Sequence, residues 1–158
     1  MQIRSRSLAL SRSAVLIAAA FLIWILAPMV SCGGSGAAPA IPGLSVGGTY
    51  DTTVTLLPAG NTCGNVTVQN NPTVVDHTPG SASLSLTHAG NVYSGSVDRA
   101  GHFSAPARFV GGYDNIAITG QFSANGFDAT VQVQHLLPSC GYQVHWVGSK
   151  SGSPNTFP

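Results

Sequence analysis

The sequence predicts an all-β domain of about eight antiparallel strands between residues 48 and 150. Two observations lead to this fold class. No segment after residue 32 repeats its apolar residues at the 3.6-residue interval of an amphipathic helix. Instead, short runs that alternate apolar and polar residues are separated by Gly, Pro, Asn and Asp, which is typical of strands joined by turns. A closed up-and-down barrel or a two-sheet sandwich would bury the apolar faces, and we expect the barrel because closure leaves no edge strand.

The individual strands follow from local patterns taken in chain order. They are expected at residues 50–56, 65–69, 83–88, 92–97, 102–105, 116–122, 127–134 and 142–146. Residues 70–80 contain two prolines and are expected to form a loop. Asn125-Gly126 is the strongest hairpin signal, because both residues tolerate the positive φ of a tight two-residue turn.

Cys32 stands where two very different segments meet. Three arginines before residue 13 are followed by an unbroken apolar stretch over residues 14–30, the order of a secretory signal peptide. Met29-Val30-Ser31-Cys32 resembles the lipobox of bacterial lipoproteins. That resemblance implies cleavage before Cys32, a diacylglyceryl thioether on its sulfur, and an acylated amino terminus. Gly33 after the cysteine is compatible with sorting to an outer membrane.

The predicted organisation has four parts. Residues 1–31 form the signal peptide, 32–47 the lipidated cysteine and a flexible tether, 48–150 the β-domain, and 151–158 a disordered tail. The alternatives are plain secretion to the periplasm or beyond and an uncleaved anchor helix. A helix over residues 14–30 would span about 26 Å, slightly short of the ~30 Å hydrocarbon core of a membrane.

Composition argues against nucleic acid as a partner. Residues 32–158 keep three basic residues against five aspartates, a net charge of −2 with neutral histidines, and the chain contains no glutamate. Nucleic acid is therefore not an expected partner, because its recognition needs a basic stripe. The expected contacts are the membrane, through the lipid on Cys32, and an envelope protein or a small apolar ligand.

Two cysteines, Cys63 and Cys140, remain if Cys32 is lipidated. An exported compartment is oxidising, so these two are expected to form a structural disulfide. A redox-active pair is disfavoured, because the cysteines are far apart in sequence and form no Cys-x-x-Cys motif.

No catalytic residue, metal site or cofactor is predicted. The five histidines of the domain are His77, His88, His102, His135 and His145. Their spacing contains neither His-x-His nor His-x-x-x-His, so a zinc site is not expected. Asp98 and His102 flank one turn and are expected to form a surface pair, whereas His88 and His135 are expected at the rim. Serine motifs of hydrolases are absent from the sequence.

Short motifs along residues 48–150 carry a second resemblance. They include Gly48-Thr49-Tyr50, Thr62-Cys63-Gly64, Leu86-Thr87-His88-Ala89-Gly90-Asn91, Gly101-His102-Phe103-Ser104, Thr119-Gly120-Gln121-Phe122 and Cys140-Gly141-Tyr142. The set resembles small β-domain lipoproteins of bacterial envelopes with a lipocalin-like, or calycin-like, character. We therefore expect a non-enzymatic envelope lipoprotein that acts as a structural or interaction module. The alternative is a barrel that binds a small apolar ligand, lined by Tyr50, Phe122, Val131 and Trp146.

Overall fold

The alternating runs form eight strands that close, in chain order, into one antiparallel up-and-down barrel. This computed structural model describes residues 40–112 and 114–158. The strands are β1 (Gly48–Leu57), β2 (Thr73–Asp76), β3 (Ser83–His88), β4 (Asn91–Val97), β5 (His102–Val110), β6 (Asp114–Ser123), β7 (Gly126–Leu136) and β8 (Ser139–Lys150). The barrel prediction is confirmed, because β1 pairs with both β2 and β8. The expected signal peptide, lipidated Cys32 and the tether up to residue 39 lie outside the described residues.

The second strand is not where the sequence pattern predicts it. Val66 and Val68 lie in the long β1–β2 loop, and β2 is Thr73–Asp76, within the segment expected to be a loop. The prolines misled the prediction. Pro72 directly precedes β2, where its missing N–H removes no ladder hydrogen bond, and three β-branched residues then follow it.

The alternation of apolar and polar residues along the strands places the apolar side chains in the barrel interior, as predicted. Phe127, Ala129 and Val131 of β7 are buried, and the polar residues between them face outward. The β5–β6 ladder loses its register between Ala105 and Arg108. Pro106 lies inside this irregularity, because a residue without an N–H cannot donate to the ladder.

One end of the barrel, here called the closed end, is covered by both flanking segments. Ile41, Leu44 and Val46 are buried there, and Ser45 forms a bridge to Thr156. The expected tether therefore packs onto the barrel from Ile41 onward. The expectation of a disordered tail is wrong: Asn155 is 5% exposed and donates a hydrogen bond to the Ser123 carbonyl at 2.7 Å. The two flanking segments are rich in glycine and proline, a composition typical of disorder, so the sequence pattern did not indicate that a few of their residues cover the closed end.

The opposite end, here called the open end, carries the β1–β2 loop of residues 58–72. The predicted disulfide between Cys63 and Cys140 is confirmed and fastens this loop to the start of β8. The Thr62 N–H also donates to the Gly141 carbonyl at 2.8 Å. Within residues 40–112 and 114–158, no helix has the length and apolar character needed to cross a membrane.

Candidate ligand-binding cavity

The half of the interior next to the closed end is filled with aromatic rings. Phe103 and Phe122 lie 4.5 Å apart between ring centroids, and Tyr50 lies 5.2 Å from Phe127. The rings occupy the space that a side chain on a neighbouring glycine would need, because a Cβ on Gly120 would come within 2.7 Å of the Phe103 ring. This half of the barrel therefore has no room for a ligand.

The half next to the open end contains a cavity of about 180 Å³. Its lining comprises Val54, Thr67, Val68, Gln69, His88, Tyr93, Ile116, Val131, Val133, Tyr142, Val144 and Trp146. Six of these are aliphatic side chains from four strands and the β1–β2 loop, so most of the wall is apolar. Thr67 and Gln69 come from the loop that the disulfide holds at this end.

The four side chains predicted to line a ligand site divide between the two halves. Val131 and Trp146 line the cavity. Tyr50 and Phe122 lie in the aromatic cluster instead, where the Tyr50 hydroxyl is 2.8 Å from Asn155 Oδ1. Burial raises the pKa of Tyr50 to about 12, so its hydroxyl stays protonated in this cluster.

Two polar rings meet on the cavity wall. The His88 and Trp146 ring centroids are 4.0 Å apart with an angle of 30° between their planes. Trp146 is 4% exposed, and its Nε1–H finds no hydrogen-bond partner among the described residues. A buried donor without a partner costs about 1–3 kcal/mol, so the indole N–H is an unfavourable feature of the folded barrel.

A chain of hydrogen bonds holds His88 in place. The Thr52 hydroxyl donates to the Tyr50 carbonyl at 3.2 Å, lies 2.8 Å from Thr73 Oγ1, and Thr73 Oγ1 lies 2.9 Å from His88 Nδ1. Burial lowers the pKa of His88, so the ring is neutral near pH 7. The ring presents Nδ1 to this chain, which leaves Nε2 as the nitrogen that a ligand could contact.

The other histidines form pairs that are distributed around the outer wall. His102 Nδ1 lies 3.2 Å from Asp98 Oδ2, as expected for a surface pair, and His145 Nε2 lies 2.8 Å from Asp128 Oδ1. His135 pairs with Asp114. No three His, Cys, Asp or Glu side chains converge as metal ligands in the part of the chain that the structure describes.

The dipeptide Asp76-His77 does not form an acid–base pair. Asp76 is exposed, whereas His77 is buried and its Nε2 lies 2.8 Å from the Ser81 carbonyl oxygen. His77 Nδ1 accepts a hydrogen bond from the Val46 N–H at 3.4 Å. The residue therefore acts in the closed end, as a support for the segment that covers it.

Larger depressions lie on the outer wall of the barrel. One of about 250 Å³ is lined by four amide side chains together with Val133, Tyr142 and small residues. Its wall is therefore less apolar than the wall of the interior cavity. The interior cavity is smaller, but it combines an apolar wall with the unpartnered indole, and it is the better candidate site.

Sequence reasoning missed part of this site. His88 is expected at the rim but stacks on Trp146, although its parity on β3 places it on the apolar face. Thr67 and Gln69 are expected on the outward face of a strand, and only their loop conformation brings them to the cavity.

The chain was compared with family models, with curated proteins and with solved structures, and none of the three comparisons finds a match. The fold itself, a small eight-stranded antiparallel barrel, is compatible with a calycin-like architecture. The functional argument therefore depends on the cavity and its lining.

Proposed function

We propose that this chain is an exported barrel that binds one small, largely apolar molecule in the cavity at its open end. The observation that carries the proposal is the cavity of about 180 Å³ with a mainly aliphatic and aromatic wall. An engineered apolar cavity of about 150 Å³ is large enough to bind benzene. The expected ligand is therefore about the size of a substituted benzene ring.

The contrast between the two halves of the barrel supports this proposal. The closed-end half is packed so tightly that a Cβ on Gly148 would overlap the Phe127 ring. A domain selected only for stability would gain from filling the other half as well, since each buried methylene contributes about 0.8 kcal/mol. Eight-stranded barrels can hold one small ligand in the interior, and a cavity in one half supports that role here.

Intrinsic fluorescence offers a direct test. The chain has two tryptophans, and the proposed cleavage before Cys32 removes Trp24, so Trp146 on the cavity wall is the single indole of the mature protein. Ethylbenzene should then change the emission of Trp146 in a saturable manner. Val131→Phe should abolish this change by filling the cavity, whereas Val147→Phe, on the exposed face of β8, should leave it intact. A non-saturable response in the parent protein would contradict the proposal.

We also propose that the barrel is a lipoprotein anchored through Cys32 in the cell envelope. The motif Met29-Val30-Ser31-Cys32 carries this proposal. Mass spectrometry of the protein extracted from its own membranes should find acyl chains on Cys32. An unmodified mature terminus would indicate secretion, and an uncut chain would indicate a retained anchor.

An interaction module is the second candidate function, and one observation favours it. Phe109 is 62% exposed and Leu137 is 70% exposed, and both lie on hairpins at the open end. Exposed apolar side chains at one end of a barrel suit contact with another envelope protein. A photo-crosslinker at position 109 should capture a defined partner in intact cells, whereas one at Thr130, on the outer wall, should not. Equal capture at both positions would contradict this function.

A further inference from the structure

We infer that a ligand enters and leaves the cavity past residues 65–69 of the β1–β2 loop, here called the strap, and that Asn70 holds the strap closed. The inference rests on the proposed function and adds the route to the site and the residue that controls it. It follows from the strand pairing at the level of the cavity and from the hydrogen bonds of the loop.

The barrel wall lacks a second strand beside β1 at the level of the cavity. The β1–β2 ladder ends at the pair of Tyr50 with Thr73, whereas β1 continues to Leu57. Val54 lies in this unpaired part of β1, lines the cavity, and pairs on its other side with Trp146 of β8. On the side of the missing strand, the strap completes the cavity wall with Thr67, Val68 and Gln69.

The loop is fastened on either side of the strap. On one side, the disulfide joins Cys63 to Cys140. On the other side, Asn70 Oδ1 accepts a hydrogen bond from the Val54 N–H at 2.8 Å. Between them, residues 65–69 make no hydrogen bond to any other part of residues 40–112 and 114–158. A segment held by so few bonds opens at a lower free-energy cost than the ladders of the barrel.

The cavity reaches the barrel surface at the strap. Thr67 and Gln69 line the cavity and are at the same time exposed to solvent. Val68 is half-buried and packs against the hydrophobic core. The other lining strands β6, β7 and β8 are joined by continuous ladders, which a ligand could cross only by breaking consecutive hydrogen bonds. Opening of the strap is therefore the least costly route to the cavity.

The wall has a second short ladder, between β4 and β5, which contains two residue pairs. The Arg108 side chain crosses this break: its guanidinium donates to the Val92 carbonyl and lies 5.9 Å from the centroid of the Tyr93 ring. The cavity lining includes three residues of the strap and none of β5. The strap is therefore favoured over this break as the route.

The exchange rate of a small probe tests the role of Asn70. The mature protein would be titrated with fluorobenzene, and ¹⁹F NMR line shapes would give the dissociation constant and the dissociation rate. Asn70→Ala should raise the association and dissociation rates by the same factor, about fivefold, the value of one ordinary hydrogen bond. The dissociation constant should stay the same, because Asn70 does not line the cavity and its bond stabilises the closed strap with or without a ligand.

Two matched variants control this test. Asn70→Asp keeps an acceptor oxygen and should retain the rates of the parent protein. Asn71→Ala removes the neighbouring amide but leaves the hydrogen bond between Asn70 and Val54 in place, so it should also retain them. If fluorobenzene binds but exchanges equally fast in the parent and in Asn70→Ala, the inference is overturned and the proposed function stands.

The other fastening gives an independent test. Cys63→Ser/Cys140→Ser, at a temperature where circular dichroism shows it folded, should also raise both rates, and unchanged rates would overturn the inference. Faster exchange in Arg108→Ala, without any in Asn70→Ala, would place the route between β4 and β5 and overturn it as well. Absence of saturable binding of fluorobenzene to the parent protein would contradict the proposed function itself.

Discussion

Removal of the disulfide is the perturbation whose magnitude can be estimated most directly. The double variant Cys63→Ser/Cys140→Ser deletes the bond and leaves no unpaired thiol from it. The bond is the covalent fastening between the loop of residues 58–72 and β8. Without it, this loop is held at Thr62 by hydrogen bonds to Gly141.

The size of the effect follows from the length of chain that the bond closes. The two cysteines are 77 residues apart in sequence. For a loop of that length, the chain-entropy model gives about 4.5 kcal/mol of stabilisation at 25 °C. Native proteins have a total stability of about 5–15 kcal/mol, so the loss would be a large fraction of the whole. At about 4 °C per kcal/mol, the midpoint of thermal unfolding should fall by roughly 18 °C.

Thermal and urea unfolding followed by circular dichroism would measure this loss. Cys32→Ser is the matched control, because it removes a cysteine that the bridge does not use, and its midpoint should not change. Reductant added to the parent protein should reproduce the double variant. A loss below about 1 kcal/mol would refute the reasoning, because it would mean that the unfolded chain gains little freedom when the bond is cut.

Three further predictions concern the interior and its closed end. The pKa of His88 is lowered by burial below the 6.5 of the unfolded chain, so stability should decline as the pH falls below about 6.5. His88→Gln should remove the part of this pH dependence that His88 contributes, as measured by urea unfolding at a series of pH values. If the free energy of unfolding changes equally with pH in both proteins, the burial argument is contradicted. Asn155→Ala should lower the free energy of unfolding by about 2–3 kcal/mol, because it removes the contacts of a buried amide with the Ser123 carbonyl and the Tyr50 hydroxyl. An unchanged free energy of unfolding would mean that the tail is not a structural part of the barrel. Gly148→Ala should cost about 1–3 kcal/mol through overlap with the Phe127 ring. The control Gly141→Ala meets the movable end of the Gln134 side chain and should cost clearly less.

Most of the fold could be predicted because strand signals are local. The strand at residues 127–134 was predicted within β7, since the alternation of apolar and polar residues is visible in a window of a few residues. The bridge between Cys63 and Cys140 was predicted by elimination and is confirmed. The short β2 was placed too early, because a strand of four residues offers too little alternation to outweigh its neighbouring proline.

The candidate site was predicted less completely. The sequence indicates that Tyr50 and Trp146 both face inward, but it does not indicate how far along the barrel axis each one lies. That position depends on the register of strands distant in sequence, such as the pairing of Val54 in β1 with Trp146 in β8. For the same reason, sequence patterns could not bring His88 next to Trp146.

The sequence by itself determined that this chain is an antiparallel β-domain with one apolar face per strand and a disulfide, because alternation, turn chemistry and cysteine number are local or countable properties. Only the tertiary structure decided that the closed end is plugged by the segments around Leu44 and Asn155 and that the open end keeps a cavity. Packing and hydrogen-bond satisfaction depend on which residues share a layer of the barrel. Closure and strand register set those layers, and both are properties of the whole chain.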